Sequence, residues 1–422
     1  MSELEKLRQQ AERWARLRHE QDGRALPEIY EFDERALKKL IYELQMSETS
    51  NSDEPNDLKS IKALCDMPEP LGMPNDIEKR IYGAIAARFA GCTLGVPVEG
   101  YQIADMERIA AGDGTPFPPT EYWHSAVNPD GVQYGVDKRS NYTLSHIEYV
   151  PVDDDITYLV LNMEMLKKYG SKYSVYDMSE IWLDILPYAC TAEDEAIKLM
   201  RNGVPADHAA DHNPFVEWIG AAIRADAFGY VCAGDPAAAA ELAYNDAYLT
   251  HRRNGIYGEM YTAALISAAF CVPPIEAVNI AKRCIPRNCR LRKDIDWALS
   301  QKDKVTDHNT ARRLIDDRFG RMDTVHIENN VCAVIFALML GKNDCTQAIA
   351  NSVAMGLDND CNAATVGSVT GAYLGIDGVE EKWYKPFNDE VRTYLTGYEK
   401  VTVSGMVKDF TEMYLKNKEN KL

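Results

Sequence analysis

The stretch GLDNDCNAATVGSVTGAYLG (residues 356–375) joins an acidic turn to a run of small residues. Ala363, Gly367, Gly371 and Gly375 recur at every fourth position, so a helix would place them on one face. A glycine inside a helix costs up to roughly 1 kcal/mol relative to alanine. Repeated glycines between good core-forming residues therefore predict close packing against another backbone rather than a flexible segment.

A second stretch, GAIAARFAGCTLG (residues 83–95), has the same four-residue spacing of small residues from Gly83 to Gly95. Helical periodicity also dominates the rest of this half of the chain, as in residues 156–166. The best alternating, strand-like pattern is confined to residues 147–152. We expect an all-α main domain whose irregular loops carry the function.

The N-terminal part has a different composition. Residues 1–20 predict a polar, charge-rich helix and residues 32–46 an amphipathic one. SETSNSDEPND (residues 47–57) has no apolar residue to bury and predicts a linker. Prolines and a glycine in MPEPLGMPND then stop any helix. We place the boundary near residue 75, with an N-terminal helical extension over 1–75 and the main domain over 76–422.

The charge limits the partners of the protein. A formal net charge of −19 over 422 residues argues against a general nucleic-acid binder, because phosphate binding needs a basic surface. A solvated acidic surface explains most of this charge. An anionic ligand would have to be held by local arginines or by helix N-termini.

The cellular compartment is predicted from cysteines and apolar runs. The ten cysteines have no zinc-knuckle spacing, and the chain is much longer than a disulfide-stapled secreted domain, so we expect reduced thiols. No apolar signal core follows the first methionine. The longest apolar runs, near 262–270 and 331–340, are too short to span a bilayer. These features favour a cytoplasmic protein without membrane contact.

Three consecutive carboxylates, Asp153, Asp154 and Asp155, precede the helical pattern of residues 156–166. A helix cap with favourable dipole electrostatics accounts for one or two of them. Three in a row repel one another unless a cation neutralises them, and such carboxylates are common ligands of hard divalent ions. Taken alone, the stretch fits a cap and a metal ligand set equally well.

Two further segments carry acidic groups next to the glycine-striped helices. Asp358 and Asp360 stand two apart after Gly356, a spacing that suits either two ligands of one ion or an Asx-turn with a cap. Glu99 lies on the Gly- and Pro-bounded loop that ends the first striped helix. For this glutamate, an ordinary exposed loop position is the default interpretation.

In order and content, these segments resemble the motifs of the ADP-ribosylglycohydrolase family, over essentially residues 77–380. The matching stretches are GAIAARFAGCTLGVPVEG, DDDITYLVLNMEML and GLDNDCNAATVGSVTGAYLG. The resemblance implies an all-α helical bundle with a binuclear Mg²⁺ site in a central cleft, Mn²⁺ or Ca²⁺ being alternatives. Residues 1–75 lie outside the compact family core and look like the extension of longer bacterial members.

The resemblance also implies the ligands of the metal site. Asp154 and Asp155 match the paired aspartates of the family's first metal motif, and Asp358 and Asp360 match those of the last. Asp153 stands where the family has a threonine, which adds a carboxylate to the predicted set. Two further departures are Ile156 and Cys361, each in place of a threonine; Cys361 removes a hard oxygen donor.

The family's catalytic glutamate and substrate loop can be carried over in the same way. Glu99 matches a glutamate beside the metals that is considered for water activation, so we expect Glu99, Asp154 and Asp155 to be catalytic. The loop at residues 246–259 matches a histidine-containing loop that borders the ribose and phosphate pocket. The predicted substrate-binding residues in and near it are Asn213, Arg224, His251, Asn254, Gly255, Tyr257, Gly258 and Glu259. The alternatives are a plain helix connection at this loop and, around Arg224, a core tryptophan (Trp218) with a surface arginine. His326 and Asn330 are weaker candidates.

The predicted reaction is hydrolysis at the anomeric carbon of an ADP-ribose-type ligand, either linked to protein or as a small molecule. Two alternatives stay open at this point. One is hydrolysis of another riboside or nucleoside-like N-glycoside. The other is a relative that kept the fold as a ligand-binding protein and lost activity, against which the intact DDD and DND motifs weigh.

Overall fold

The computed structural model describes residues 2–47 and 51–419 of the chain. Its α-helices are α1 (Glu3–Asp22), α2 (Glu34–Met46), α3 (Leu58–Leu64), α4 (Ile77–Gly95), α5 (Ile103–Asp113), α6 (Asp154–Tyr169), α7 (Val175–Ile185), α8 (Thr191–Arg201), α9 (Asp226–Val231), α10 (Pro236–Thr250), α11 (Asn254–Ala269), α12 (Pro274–Ala281), α13 (Arg290–Ser300), α14 (His308–Phe319), α15 (Ile327–Gly341), α16 (Cys345–Met355), α17 (Asn359–Leu374) and α18 (Val403–Glu419). The prediction of an all-α protein is confirmed.

Among the described residues, the β-sheets are two short antiparallel hairpins. Strand β1 (Val132–Gln133) pairs with β2 (Asp137–Lys138), and β3 (Glu390–Arg392) pairs with β4 (Lys400–Thr402). The strand predicted at residues 147–152 does not form. Only Val150 pairs there, in an isolated bridge to Val391, because this segment follows the edge of β3 for a single residue.

The two glycine-striped helices, α4 and α17, pack against each other. A Cβ atom on Gly91 would lie 2.1 Å from the carbonyl oxygen of Ala363, and one on Gly367 would lie 2.1 Å from that of Ala87. No side chain fits at such distances, so the glycines permit the backbones to touch. The predicted close backbone approach is therefore observed, and the partner of each stripe is the other stripe.

The relative direction of α4 and α17 determines which of their flanking loops lie together. Gly95, at the end of α4, lies against the backbone of Asp360, at the start of α17, whereas Gly83 lies against Gly371. The helices are thus antiparallel. The loop that follows α4 and the acidic turn that precedes α17 consequently lie at the same end of the pair.

Helix α4 also has the length and composition of a membrane span, which the apolar runs considered above did not include. The segment Ile77–Val98 has a mean hydropathy of 1.4 in its most apolar window, but 94% of that window is buried inside the protein. A core helix of a soluble protein passes the same test, and in this fold α4 is surrounded by other helices.

The N-terminal extension has a small apolar core of its own, formed by α1 and α2. This core continues into the main domain through Ala210 and Val216. Helix α1 begins with a capping box at Ser2 and Glu5, and Gly23 ends it in the left-handed conformation, as local sequence rules require. The two predicted helices are therefore present, and they dock onto the main domain.

The predicted linker differs from the expectation. Residues 48–50 lie outside the described residues, but residues 51–57 pack on the main domain through polar groups. Glu54 is 3% exposed and forms ion pairs with Arg253 and Arg290, while Asn56 accepts a hydrogen bond from the backbone N–H of Arg253. The segment has no apolar residue, yet Glu54 is buried, because Arg253 and Arg290 of the main domain bind its carboxylate and neutralise its charge.

Candidate active site

The acidic residues predicted from three separate segments meet at one end of the α4–α17 pair. Glu99 follows a short 3-10 turn (Val96–Val98) after α4, Asp358 immediately precedes α17, and Asp153 precedes α6. The antiparallel arrangement of α4 and α17 brings the first two together. Helix α6 is held in place by Arg88 of α4, which donates to the backbone oxygen of Asp155 at 2.9 Å.

The side chains form three overlapping groups in which all potential ligand atoms lie within 4.8 Å of one another. They are Glu99 with Asp358 and Asp360, Asp155 with Asp360 and Cys361, and Asp153 with Asp155 and Cys92. We call Glu99, Asp153, Asp155, Asp358 and Asp360 the acidic cluster. Residues more than 200 positions apart in the sequence thus share one site.

Helix capping explains one of these carboxylates. Asp153 caps α6, since one of its oxygens accepts from the backbone N–H of Asp155 at 3.0 Å. Asp358 occupies the N-cap position of α17 but makes no capping hydrogen bond with its side chain. Asp155 Oδ2 and Asp360 Oδ1 are buried without a hydrogen-bond partner among the described residues. Free carboxylate oxygens that face like groups fit a bound hard cation.

The pKa values of the acidic cluster also fit a bound cation. Burial and the nearby charge of Glu99 raise the pKa of Asp358 to about 8. Burial raises the pKa of Asp155 to about 7, even though Arg88 opposes the shift. The pKa values of Asp153 and Asp360 lie well above their usual range for the same reasons, burial first and neighbouring carboxylates second. These groups need protons or cations to neutralise one another.

Glu99 differs from the other members of the cluster because it is exposed. The surrounding protein removes part of its hydration, and together with the charge of Asp154 this raises its pKa; Arg139 opposes the shift. Its position at the open side of the cluster gives it access both to solvent and to the carboxylates of Asp358 and Asp360.

Asp154 lies at the edge of the site. It belongs to none of the three groups, although its charge raises the pKa values of Asp153 and Glu99. Hydrogen bonds from Tyr134 and the cap of α6 partly offset the effect of burial on its own pKa. Within the DDD motif, the structure thus places Asp153 and Asp155 in one close group, and the assignment of Asp154 as a metal ligand stays a prediction.

Two thiols also line the cluster. Cys361 was considered from the sequence as a lost threonine ligand, whereas Cys92 was not predicted at all. Burial, followed by the nearby aspartates, raises the pKa of both thiols well above the usual range, so both are neutral and poor ligands for a hard cation. The charge of the site comes from its carboxylates.

Arg88 is a second residue that sequence reasoning missed. Its guanidinium is fully buried and pairs with Asp155 at 2.9 Å and with Asp226 at 2.8 Å. One arginine among the five carboxylates of the cluster leaves a large excess of negative charge. The signal in the sequence was a single charged residue in the interior of the apolar GAIAARFAGC segment, where a buried charge requires partners.

Arg224 and Glu259, which were predicted to bind the substrate, lie inside the protein. Both are 0% exposed. Arg224 pairs with Asp246 at 2.7 Å and with Glu193, and it lies 3.6 Å from Glu259. Because its donors are used internally, this arginine stabilises the core. The alternative interpretation of the sequence, in which Arg224 is a surface arginine, is wrong.

The other predicted substrate-binding residues are also enclosed. Burial, with Arg224 nearby, lowers the pKa of His251 well below its usual value, so the ring is neutral. The enclosed residues are Asn213, His251, Asn254, Gly255, Tyr257 and Gly258. Gly255 packs against the backbone oxygen of Val216, where a Cβ atom would lie only 2.1 Å away. The structure therefore gives these residues contacts inside the protein, and their role in substrate binding stays a prediction.

The two weaker candidates, His326 and Asn330, differ in their relation to the acidic cluster. His326 is fully buried, and burial lowers its pKa to about 3. Asn330 holds the acidic turn in position: its side-chain oxygen accepts from Asn362 at 2.7 Å and from the backbone N–H of Asp358 at 3.4 Å. Asn330 is thus a positioning residue for the cluster.

Comparison with known proteins agrees with this architecture. Residues 73–417 match the model of the ADP-ribosylglycohydrolase family, so the chain belongs to that family. A solved structure described as an ADP-ribosylglycohydrolase-related protein complex has the same fold, with a TM-score of 0.50 and 16% sequence identity over 80% of this chain and 99% of that chain. No curated protein matches the sequence. The resemblance and the fold class predicted from the sequence are both confirmed.

Proposed function

We propose that the protein is a cation-dependent glycohydrolase that cleaves the N- or O-glycosidic bond at the anomeric carbon of an ADP-ribose-type ligand. The observation that carries this proposal is the convergence of five carboxylates from three segments at one end of the α4–α17 pair, where Arg88 pairs with Asp155. Membership of the ADP-ribosylglycohydrolase family supports the class of reaction.

The donor set supports a hard divalent cation of the Mg²⁺ type. Asp153, Asp155, Asp358 and Asp360 would hold it, since their carboxylates lie within 4.8 Å of one another in overlapping groups and two oxygens have no partner. When bound, such a cation orients ribose hydroxyls and lowers the pKa of a coordinated water molecule. Mn²⁺ and Ca²⁺ are further candidates, because carboxylate oxygens suit these ions as well.

Glu99 is the proposed proton acceptor. It is the exposed member of the cluster, so its carboxylate can reach a water molecule from solvent. As water attacks the anomeric carbon, its proton passes to Glu99, and the bonding pair of the glycosidic bond leaves with the departing nitrogen or oxygen, which takes up a proton from solvent or from protonated Glu99. The remaining carboxylates would stabilise the positive charge that develops on the sugar ring in an oxocarbenium-like transition state.

The test is hydrolysis of a defined panel by the full-length protein in Mg²⁺, Mn²⁺, Ca²⁺ or EDTA. The panel contains ADP-ribosyl-arginine, ADP-ribosyl-serine and a set of nucleosides. We expect cation-dependent release of ADP-ribose from at least one ADP-ribosyl substrate. Turnover of nucleosides alone would assign the protein to another class of riboside hydrolase. A cation that binds the folded state raises the melting temperature whether or not the protein is an enzyme. Thermal stabilisation by the cation without turnover of any compound would therefore identify a binding protein.

A further inference from the structure

A cavity of about 590 Å³ lies between the N-terminal extension and the main domain. Residues of α1 and of the loop after it form one wall, and the start of α8 and the segment 214–218 form the other. Such a volume is in the range of small-molecule sites. Neither the family motifs nor the proposed chemistry uses this cavity.

A series of contacts through the core connects the cavity with Asp154, at the edge of the acidic cluster. Asp154 and Tyr158 stand one turn apart on α6, and the ring of Tyr158 lies 5.8 Å from the guanidinium of Arg224. Arg224 pairs with Glu193, which accepts a hydrogen bond from Thr191 at 3.5 Å. Thr191 lines the cavity.

The surface between the two sites is aromatic. The rings of Tyr188 and Tyr394 stack with their centroids 4.5 Å apart, and Tyr134 stacks on Tyr394 at 5.2 Å. Tyr134 also lies close enough to Asp154 to hydrogen-bond with it. The chain from Tyr188 to Thr191 therefore runs from the edge of the acidic cluster to the edge of the cavity.

The lining of the cavity combines cations with aromatic rings. Arg13 lies over the ring of Phe215 at 5.2 Å, and the centroids of Phe215 and Trp218 are 4.6 Å apart. The guanidinium of Arg16 has no hydrogen-bond or ion-pair partner among the residues that the structure describes. Glu12 and Asp323 add hydrogen-bond acceptors. Arginine binds phosphate, aromatic rings stack on a nucleobase, and carboxylates accept from hydroxyl or amino groups.

We propose that this cavity binds the nucleotide end of the substrate, so that the N-terminal extension supplies one wall of the substrate-binding site. This inference rests on the proposed function, because it assigns the cavity to the part of an ADP-ribose-type ligand that is distant from the scissile bond. The arginines of α1, Arg13 and Arg16, provide the guanidinium donors that a diphosphate requires. The extension would thereby select nucleotide-containing substrates over simple ribosides.

The test measures binding of AMP and of ADP-ribose to the full-length protein by calorimetry, in EDTA. Arg16→Ala removes a phosphate donor, and Leu26→Glu adds a negative charge at a cavity residue that is 47% exposed, so folding should be preserved. We expect each variant to bind both compounds about 10-fold more weakly. The matched controls are Arg35→Ala and Met46→Glu, exposed positions on α2 outside this cavity, which should bind as the parent does.

Kinetics give a second measurement. With the best substrate and a bound cation, Arg16→Ala should raise KM and leave kcat unchanged, because it acts far from the reacting carbon. Parent-like affinity in both cavity variants, or no binding of AMP by the parent at millimolar concentration, would overturn the inference. That outcome is distinct from failure of the proposed function, because AMP binding in EDTA requires neither turnover nor a cation at the acidic cluster.

Discussion

Two sets of buried carboxylates in this protein differ in what neutralises them. In the arginine network (Glu54, Glu217 and Glu328 with Arg253 and Arg290), Arg290 contacts Glu217 at 2.5 Å, Glu328 at 3.3 Å and Glu54 at 3.5 Å. In the acidic cluster, as far as the structure describes it, Asp155 forms an ion pair with Arg88, and the charge of Arg139 acts on Glu99. Four of the five carboxylates of the cluster are buried, as those of the network are, but their counter-charge is less complete.

The pKa values of Glu217 and Asp358 show this difference, although burial raises the pKa of Glu328 even within the arginine network. Burial alone would raise the pKa of Glu217, but Arg290 and Arg253 outweigh it and hold the pKa well below the usual range. Burial and Glu99 together raise the pKa of Asp358 to about 8. A buried acid with cations around it stabilises a fold, whereas a group of buried acids without them is unfavourable until something binds. The unbalanced set is therefore the candidate for function.

The largest effect should follow from Asp358→Asn, which keeps the shape and removes one charge from the acidic cluster. We expect loss of measurable hydrolysis and of thermal stabilisation by Mg²⁺ or Mn²⁺. The cation-free variant should melt at a higher temperature than the parent, because one repulsive carboxylate is gone. Calorimetric melting curves with and without cation check both statements. A full cation response in the variant would remove Asp358 from the site.

Glu99→Gln should reduce kcat by about two to four orders of magnitude, the usual contribution of a general base. Substrate affinity should persist, because the amide has the shape of the carboxylate. Single-turnover kinetics and equilibrium binding separate the two quantities. Glu107→Gln on α5 is the control, since it changes an exposed glutamate away from the cluster. Hydrolysis at the parent rate would move the base to one of the aspartates.

Glu217→Gln in the arginine network should lower the stability of the protein, whereas Asp358→Asn should raise that of the cation-free protein. It leaves Arg290 and Arg253 without a main counter-charge, and breaking a buried pair in this way typically costs about 3 to 5 kcal/mol of stability. The cation-induced rise in melting temperature should remain. Chemical denaturation provides the measurement. A variant as stable as the parent would show that these charges contribute little to stability.

The pH dependence of stability at Glu20 provides a test of the comparison at a site outside the active site. Glu20 is a fully buried carboxylate at the docking surface of the extension; one oxygen accepts from the backbone N–H of Asp323 at 2.9 Å, and the other has no partner. Burial raises its pKa from 4.5 to about 7. The stability that this raised pKa contributes is present below pH 4.5 and is lost as the pH rises towards 7.

Glu20→Gln should therefore remove that loss. We expect the variant to be more stable than the parent by about 1 to 3 kcal/mol at pH 8 and equal to it below about pH 4. Denaturation at both pH values measures the difference, with the exposed Glu31→Gln as control. Equal stability of variant and parent at both pH values would mean that Glu20 titrates normally in the folded protein.

Cys361→Thr should have the smallest effect. It replaces a neutral thiol, which lies within 4.8 Å of Asp155 and Asp360, by a hard oxygen donor. If Cys361 stands at a former ligand position, Mg²⁺ affinity should rise a few-fold, and titration calorimetry can measure this. Unchanged affinity would indicate that residue 361 only fills space.

The sequence by itself determined the main elements and most of the acidic cluster. The four-residue spacing of glycines predicted close helix packing, and the positions of Asp153, Asp155, Asp358 and Asp360 before helices pointed to a shared site. These inferences succeed because helix periodicity and capping are local properties, which neighbouring residues encode. The order of the motifs then sufficed to indicate the family.

Only the tertiary structure decided which charges are balanced. Arg88, Arg224 and Arg290 look alike in the sequence, yet one joins the acidic cluster and the other two neutralise carboxylates in the core. The predicted linker became a buried, ion-paired segment at Glu54 for the same reason. Charge pairing depends on distances between residues that are remote in the chain, and local sequence patterns contain no information about those distances.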